Sequence, residues 1–449
     1  MRAVAQRLAG SLGLTRGVSW TLAGRVWSLI AGVVTIVLIA RALTPAGQGT
    51  YYVISSLLAA QVFAELGLNF VLVQRTARAA APLTVGPDLT FSGPAEAIGA
   101  VGALLRFGTR WFLVGGALFG VVGGLVGAAL LMQGAQGDPP LLPWLVAAAG
   151  ATVLLASLGP LAVFEGSGFV AEVAAIRFAA GASGAVATWG ALNSGAGIWA
   201  VAVAPWVSGV VTWGVSWHRL GAPWRDLLAR AGGHSVAWRE EILPFQLRIA
   251  ASWLAGYFVS QAPTALLFAA HRSEDAGRYG MSMSIASAVG TVASSWLYPA
   301  QPQLVRLTAL RDVRSLDDLF ARTVRRTLLI GGVCAVTLVA AVALLPISPA
   351  AAYVGRVLPV GGFAALMTGL LGSVLAACFA AYARAGGGEP FLVISLASAA
   401  SLLLAAVVAV PRFGASGVAV TYAMVQWGIG VFGGYLVYRA KRSRLRGEI

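Results

Sequence analysis

The sequence predicts an all-α, polytopic membrane protein with about twelve transmembrane helices. Three observations predict it. Hydrophobic residues make up 58% of the chain and charged ones only 10%, where a soluble domain carries about a quarter charged. Apolar runs of about 18 to 25 residues recur from end to end, each long enough to cross about 30 Å of hydrocarbon at about 1.5 Å per residue. The arginines collect in alternate connecting segments, as the positive-inside rule requires.

The first run, 18–40, exceeds a signal-peptide core of about 7 to 15 residues and is followed at once by a second, so it reads as a membrane helix. The others are 50–73, 111–132, 141–164, 170–192, 198–217, 243–267, 279–300, 328–345, 358–381, 390–410 and 416–438. With both termini cytoplasmic, the inside segments collect most arginines, from Arg2, Arg7 and Arg16 to the tail Arg439–Arg446, and the outside loops keep Arg41, Arg272, Arg278, Arg356 and Arg412. An odd span count would put one terminal basic cluster on the wrong side. The chain divides into a bundle at 1–217, a cytoplasmic linker at 218–242 and a second bundle at 243–449.

The net charge of +15 does not point to nucleic acid, because the arginines form no basic stripe interleaved with aromatics. Cys334 and Cys378 fall inside spans and read as packing residues. His218, His234 and His271 are isolated in loops, without metal-ligand spacing, and no phosphate-cradling G-x-x-x-x-G-K-[ST] occurs. No cofactor, metal or catalytic group is called for, and energy coupling would come from ion gradients. Short outside loops leave little room for an extracellular catalytic domain.

Trp20, Tyr51, Trp111, Trp144, Trp217 and Tyr438 lie near span ends, as an interfacial belt requires. Small residues such as those of GGALFGVVGGLVGAA from Gly115 let helix backbones approach closely. The inside segment 79–109 is expected to lie partly along the membrane surface, and 301–326 to form a solvated helical extension. The halves also align with each other. Gly166 and Gly168 match Gly386 and Gly388 at an offset of 220, and Gly197 matches Gly417 at the same offset, a parallel repeat of the kind from which transporters are built.

Ionisable groups inside hydrocarbon cost several kcal/mol, so those present should face a wet cavity or a partner. Arg25 lies seven residues into the first span, about 10 Å deep. Glu65 lies at a matching depth on the second, where a pair with Arg25 is geometrically possible, and Arg248 lies five residues into the seventh. Each sits on a polar stripe at helical spacing: Thr21, Arg25 and Ser28; Gln61, Glu65 and Asn69; Arg248, Ser252 and Ser260. These helices are expected to line a cavity between the halves. Against this stands a purely structural ion pair with serines bonded to backbone carbonyls. Arg106, Arg110 and Arg177 read as topological anchors, and the basic tail as a segment drawn to anionic membrane lipid.

The stretch GRVWSLIAGVVTIVLIARALTPAGQGTYYVISSLLAAQVFAELGLNFVLVQR resembles the opening two helices of the polysaccharide-biosynthesis and O-antigen flippases of the multidrug/oligosaccharidyl-lipid/polysaccharide (MOP) exporter superfamily. The resemblance continues through FEGSGFVAEVAAIRF, GIWAVAVAPWVSGVV and HRSEDAGRYGMSMSIASAVGTVASSWLYPAQPQL. It implies two six-helix bundles around a cavity that opens alternately to each side, with a cationic lining for the pyrophosphate of an undecaprenyl-linked glycan. It maps Arg25, Arg41 and Glu65 onto the framework of the first two helices without assigning which touches substrate. Membrane lipids and glycan-assembly proteins would be its partners. Two departures stand out: Glu65 occupies a position that is often Asp, and the 79–109 loop is longer than usual.

The leading expectation is a lipid-linked oligosaccharide flippase of the cytoplasmic membrane, with Arg25 and Arg248 attracting the diphosphate and Glu65, Gln61, Asn69, Ser28 and Ser252 lining the cavity. One alternative is a drug/cation antiporter of the same superfamily, which would want more acids than Glu65 in the cavity. The other is a membrane-embedded glycan polymerase or ligase, which would draw on the outside acids Asp138, Glu274 and Asp275.

Overall fold

The computed structural model describes residues 16–86, 89–135, 137–386 and 389–447. Arg2, Arg7 and Gly388 of the expectations above lie outside the described residues. The helices run α1 (Arg16–Ala42), α2 (Pro45–Glu65), α3 (Leu68–Ala79), α4 (Ala95–Gly134), α5 (Leu141–Gly166), α6 (Val170–Asn193), α7 (Gly197–Arg230) and α8 (Trp238–Ser260). They continue as α9 (Ala262–Ala269), α10 (Ser273–Ala293), α11 (Leu297–Ala309), α12 (Val313–Ile347), α13 (Val360–Ala385) and α14 (Leu392–Arg446).

Nine described helices are long and apolar enough to cross a membrane, and α2 with α3 makes a tenth span, bent by 42°. The last of the nine, α14, is 55 residues long and breaks at Gly414, whose φ of 57° no ordinary helix contains, so it supplies two. The serine-rich stretch 273–309, too polar to qualify by hydropathy, is helical and completes the set the sequence predicts. The protein is therefore an all-α, multi-pass membrane protein.

The segment 79–109 differs from expectation. A two-stranded hairpin pairs Thr84 with Ser92 and Val85 with Phe91, and α4 then starts at Ala95, well before the apolar run at 111. Its first turns pack on the end of α7: a Cβ on Gly102 would meet Ala231 Cβ at 2.7 Å, and Arg106 donates to the Gly232 carbonyl at 2.9 Å. Phe91, Ile98, Val101, Leu105 and Leu227 are buried there, so these apolar side chains of the stretch pack within protein.

The chain forms two compact units. One comprises 1–42, 57–129 and 140–250, and the other 43–56, 130–139 and 251–449. In the first, α1 runs parallel to α6: Gly17 lies against Val170 and Ala171, and Trp189 donates to Thr35 Oγ1 at 2.9 Å. Three indoles join α4, α5 and α7 by donating to backbone carbonyls, Trp144 to Gly124, Trp206 to Val146 and Trp213 to Val153, at 2.8 to 2.9 Å. A carbonyl already serving its helix keeps a second lone pair, which satisfies an N–H that lipid could not.

In the second unit, Phe320, Phe379, Tyr382 and Tyr438 form an aromatic cluster with ring centroids 4.7 to 6.0 Å apart. Beside it Asp317 accepts from Arg442, Arg446 and the Tyr382 hydroxyl. At the start of α10, Asp275 bridges Arg272 and Arg278, and Glu274 also pairs with Arg278. Gln48 donates to the carbonyls of Gly277 and Arg356 at 2.9 and 2.8 Å.

Candidate functional site

The break between α2 and α3 organises the first unit. Leu66 and Gly67 both adopt left-handed conformations, with φ of 47° and 69°. The leucine is held there at a cost of about 1–2 kcal/mol, and the Leu66 N–H still bonds the Val62 carbonyl at 2.9 Å. Interrupting a helix strands backbone groups that lipid cannot satisfy. Trp111 of α4 answers one of them, donating to the Ala64 carbonyl at 3.3 Å. Glu65 therefore ends one half-helix, and Asn69 stands in the first turn of the next.

Helix α8 packs along this break. A Cβ on Gly67 would lie 2.5 Å from Ile249 Cγ2, and farther along the antiparallel pair Arg75 meets Glu241 at 3.2 Å. Arg248, next to Ile249, is thus level with the break. It is exposed and, among the described residues, has no hydrogen-bond or ion-pair partner. Three residues earlier in the chain than Ile249, Gln246 is 1% exposed. It accepts from Trp238 at 3.0 Å and leaves its Nε2 unpartnered.

Glu65 is half-buried and lies within the electrostatic reach of Arg177 on α6. The same guanidinium pairs with Glu165, near the end of α5, at 2.7 Å. Gly166 packs against Val73 and Thr76 of α3, a Cβ there reaching the Val73 carbonyl at 2.5 Å. That puts Glu165 about 12 Å of helix from Glu65.

Arg25 lies near the level of Arg177. The Thr35–Trp189 bond sets α1 and α6 in register at a separation of 154 residues, so Arg177 is abreast of Ala23, about 3 Å along the axis from Arg25. Arg25 is exposed on the stripe Thr21, Arg25 and Ser28, beside a separate exposed apolar stripe of Leu22, Val26, Ile30, Val33 and Val37. A helix with one apolar and one polar exposed face fits lipid on one side and water on the other.

Of the sequence candidates, the structure puts Glu65, Asn69 and Arg248 at the α2–α3 break, and Arg25 on α1 about 3 Å along the axis from the level of Arg177. Asn69 Oδ1 is buried and unpartnered. Gln61 and Ser252 are half-buried, on the second and seventh spans as expected. Ser28 donates to the Gly24 carbonyl at 2.8 Å, and Thr21 and Ser260 likewise bond the carbonyl four residues back, so these hydroxyls spend their protons locally. Arg177, read from the sequence as an anchor, joins the site. The available signal was its spacing: Glu165 and Arg177 flank the turn at 167–169, and a helical hairpin returns one toward the other.

Fold comparison places this arrangement. The inward-facing conformation of a multidrug resistance MATE family transporter of the MOP superfamily matches with a TM-score of 0.56 at 17% identity, covering 95% of each chain. A point mutant of the Vibrio cholerae MATE transporter VcmN matches at 0.57, again with 17% identity and 95% of each chain. The lipid II flippase MurJ, inward closed, matches at 0.58 and 13% identity over 94% of this chain and 87% of that one. This chain has the MOP transporter fold. The family described as polysaccharide biosynthesis protein matches residues 14–88 of this MOP-fold chain, so the resemblance read from its opening helices holds there, across α1 to α3. None of the curated proteins matches it in sequence.

Proposed function

We propose that this chain is a non-catalytic flippase that moves a polyprenyl-pyrophosphate-linked oligosaccharide, undecaprenyl in type, across the cytoplasmic membrane for cell-surface polysaccharide biosynthesis. The carrying observation is charge. Arg25 and Arg177 stand within about 3 Å of each other along the neighbouring helices α1 and α6, Arg248 stands at the α2–α3 break of the same unit, and the acids beside them are Glu65 and Glu165, a net positive group that we read as a cationic wall. Guanidinium stays ionised and binds phosphate oxygens in pairs, so a diphosphate is the ligand this wall fits. The family match over 14–88 and a fold neighbour named for flipping lipid II support the same substrate class.

The basic segments put both termini on the cytoplasmic side, and the wall would be exposed alternately to each side. Membrane lipids and glycan-assembly proteins are the expected company. The test replaces Arg25 or Arg248 with glutamine and measures glycan export at matched expression. Loss of one charged fork, worth about 1.5–3 kcal/mol, should weaken substrate capture about 10- to 100-fold. Full export by both variants would remove the diphosphate route.

The drug/cation antiporter reading draws on the MATE neighbours and on Glu65, but a cation there would compete with Arg177 for the carboxylate. The polymerase reading is weakened because Glu274 and Asp275 are held by Arg272 and Arg278.

A further inference from the structure

We propose that Arg177 is a substrate-contact residue that Glu165 holds in reserve and releases to the diphosphate. This rests on the flippase reading and deepens it. The observation is an exposed guanidinium that is paired with an acid and lies on the helix beside that of Arg25. Its Nη2 is bonded to Glu165 at 2.7 Å near the end of α5.

A purely structural pair would be sealed from ligand. This pair is open, with the Arg177 side chain 43% exposed and the Glu165 side chain 27%. Arg177 is also abreast of Arg25 through the α1–α6 register. An incoming diphosphate drawn by Arg25 would therefore meet a third guanidinium within reach. To take it, the diphosphate must displace the Glu165 carboxylate, one anion exchanged for another. Glu165 is then a positioning residue: it keeps Arg177 oriented and neutralised while the site is empty, and it competes with substrate for the same fork.

The experiment measures binding of radiolabelled geranylgeranyl diphosphate to the full-length purified protein in nanodiscs, with and without excess inorganic pyrophosphate or phosphatidylglycerol. Glu165→Gln removes the competitor and should tighten binding severalfold, a gain that a merely structural pair would not give. Arg177→Gln should weaken it by about tenfold or more. Arg177→Lys keeps the charge but loses the fork, so it should fall between, and it serves if the glutamine variant does not fold. Joined to Arg177→Gln, Glu165→Gln should gain nothing. Inorganic pyrophosphate should displace the probe better than phosphatidylglycerol does, and equal displacement by phosphatidylglycerol would overturn the proposal. Unchanged affinity in Glu165→Gln and Arg177→Lys, with Arg25→Gln still weakened, would overturn the role of Arg177 and leave the flippase reading standing. A wild-type protein that does not bind the probe would overturn both.

Discussion

Gly67 and Ile249 touch so closely that only a hydrogen fits between them: a Cβ on Gly67 would lie 2.5 Å from Ile249 Cγ2. The same glycine holds φ at 69°, so two independent constraints fall on one residue. Together they fix where the second span breaks and how closely α8 approaches it, and so where Arg248 stands relative to Glu65.

Gly67→Ala should therefore destabilise the first unit. Left-handed backbone in a residue with a Cβ costs about 1–2 kcal/mol, and the overlap with Ile249 adds about 1–3 kcal/mol as overpacking. Thermal unfolding in detergent should show a clear fall in midpoint, while Gly256→Ala, whose Cβ would meet nothing within 4 Å, should barely move it. Equal midpoints for the two would mean that α8 yields at no cost.

Much of this fold was legible because lipid imposes a simple rule, that about 20 apolar residues make a span. The rule fails where function or protein packing replaces lipid. The 273–309 stretch carries serines whose hydroxyls bond their own backbone, Ser284 to Gly280 and Ser295 to Thr291, and so it is helical without being greasy. Helix α4 begins at Ala95 because its first turns are covered by α7 and the hairpin, where Arg106 finds a carbonyl partner. The break at Leu66 lies inside a predicted span, among Gln61, Glu65, Gly67 and Asn69, and it is matched by a contact with Ile249, a residue far along the chain that no local pattern announces. Arg25, Glu65 and Arg248 could be picked out because charge in a span is conspicuous. Arg177 stood close enough to a span end to pass for an anchor, and only the packing of α5 on α6 gives it Glu165 as a partner.

Gly49 makes a second contact that admits no side chain. In the second unit a Cβ there would overlap the Ser273 carbonyl oxygen, and Gly277, one turn along the same helix as Ser273, also lies against the Gly49 backbone. Backbone cannot rotate away as a side chain can, so Gly49→Ala should cost more than Gly67→Ala. The expected readout is a large drop in correctly folded protein by fluorescence-detected size exclusion. Gly47→Ala, which would press only on the Thr44 hydroxyl at 3.1 Å, should be recovered in near-normal yield.

Arg75 and Glu241 join α3 to the start of α8 at 3.2 Å, with side chains 33% and 54% exposed. Solvent screens a pair this open, so its charge–charge part is worth at most about 1 kcal/mol. Arg75 also donates to the Glu241 backbone carbonyl, a contact that survives loss of the carboxylate. Glu241→Gln should therefore leave thermal stability within about 0.5 kcal/mol of wild type, while Arg75→Ala should cost more. A larger loss in Glu241→Gln than in Arg75→Ala would show the ion pair, not the carbonyl contact, to be what fixes α8.

Asp317 gives the most direct test of how the basic tail is held. Its carboxylate, 14% exposed as a side chain, accepts from Arg442 at 2.7 Å and from Arg446 at 2.8 Å, and it also receives the Tyr382 hydroxyl at 3.3 Å. Two guanidiniums converging on one carboxylate repel each other unless that charge is present, so Asp317→Asn removes the attraction and leaves the repulsion. The end of α14 should then fray, and trypsin should cut after Arg442 and Arg446 several times faster, while cleavage in other exposed segments is unchanged. Salt should act in the same direction on the wild type, because the arginine ends of these pairs are open to solvent and screening weakens them. If Asp317→Asn is cut no faster than wild type at low ionic strength, the tail is held by the Phe320–Tyr438 ring stack, centroids 4.9 Å apart, and the carboxylate only decorates it.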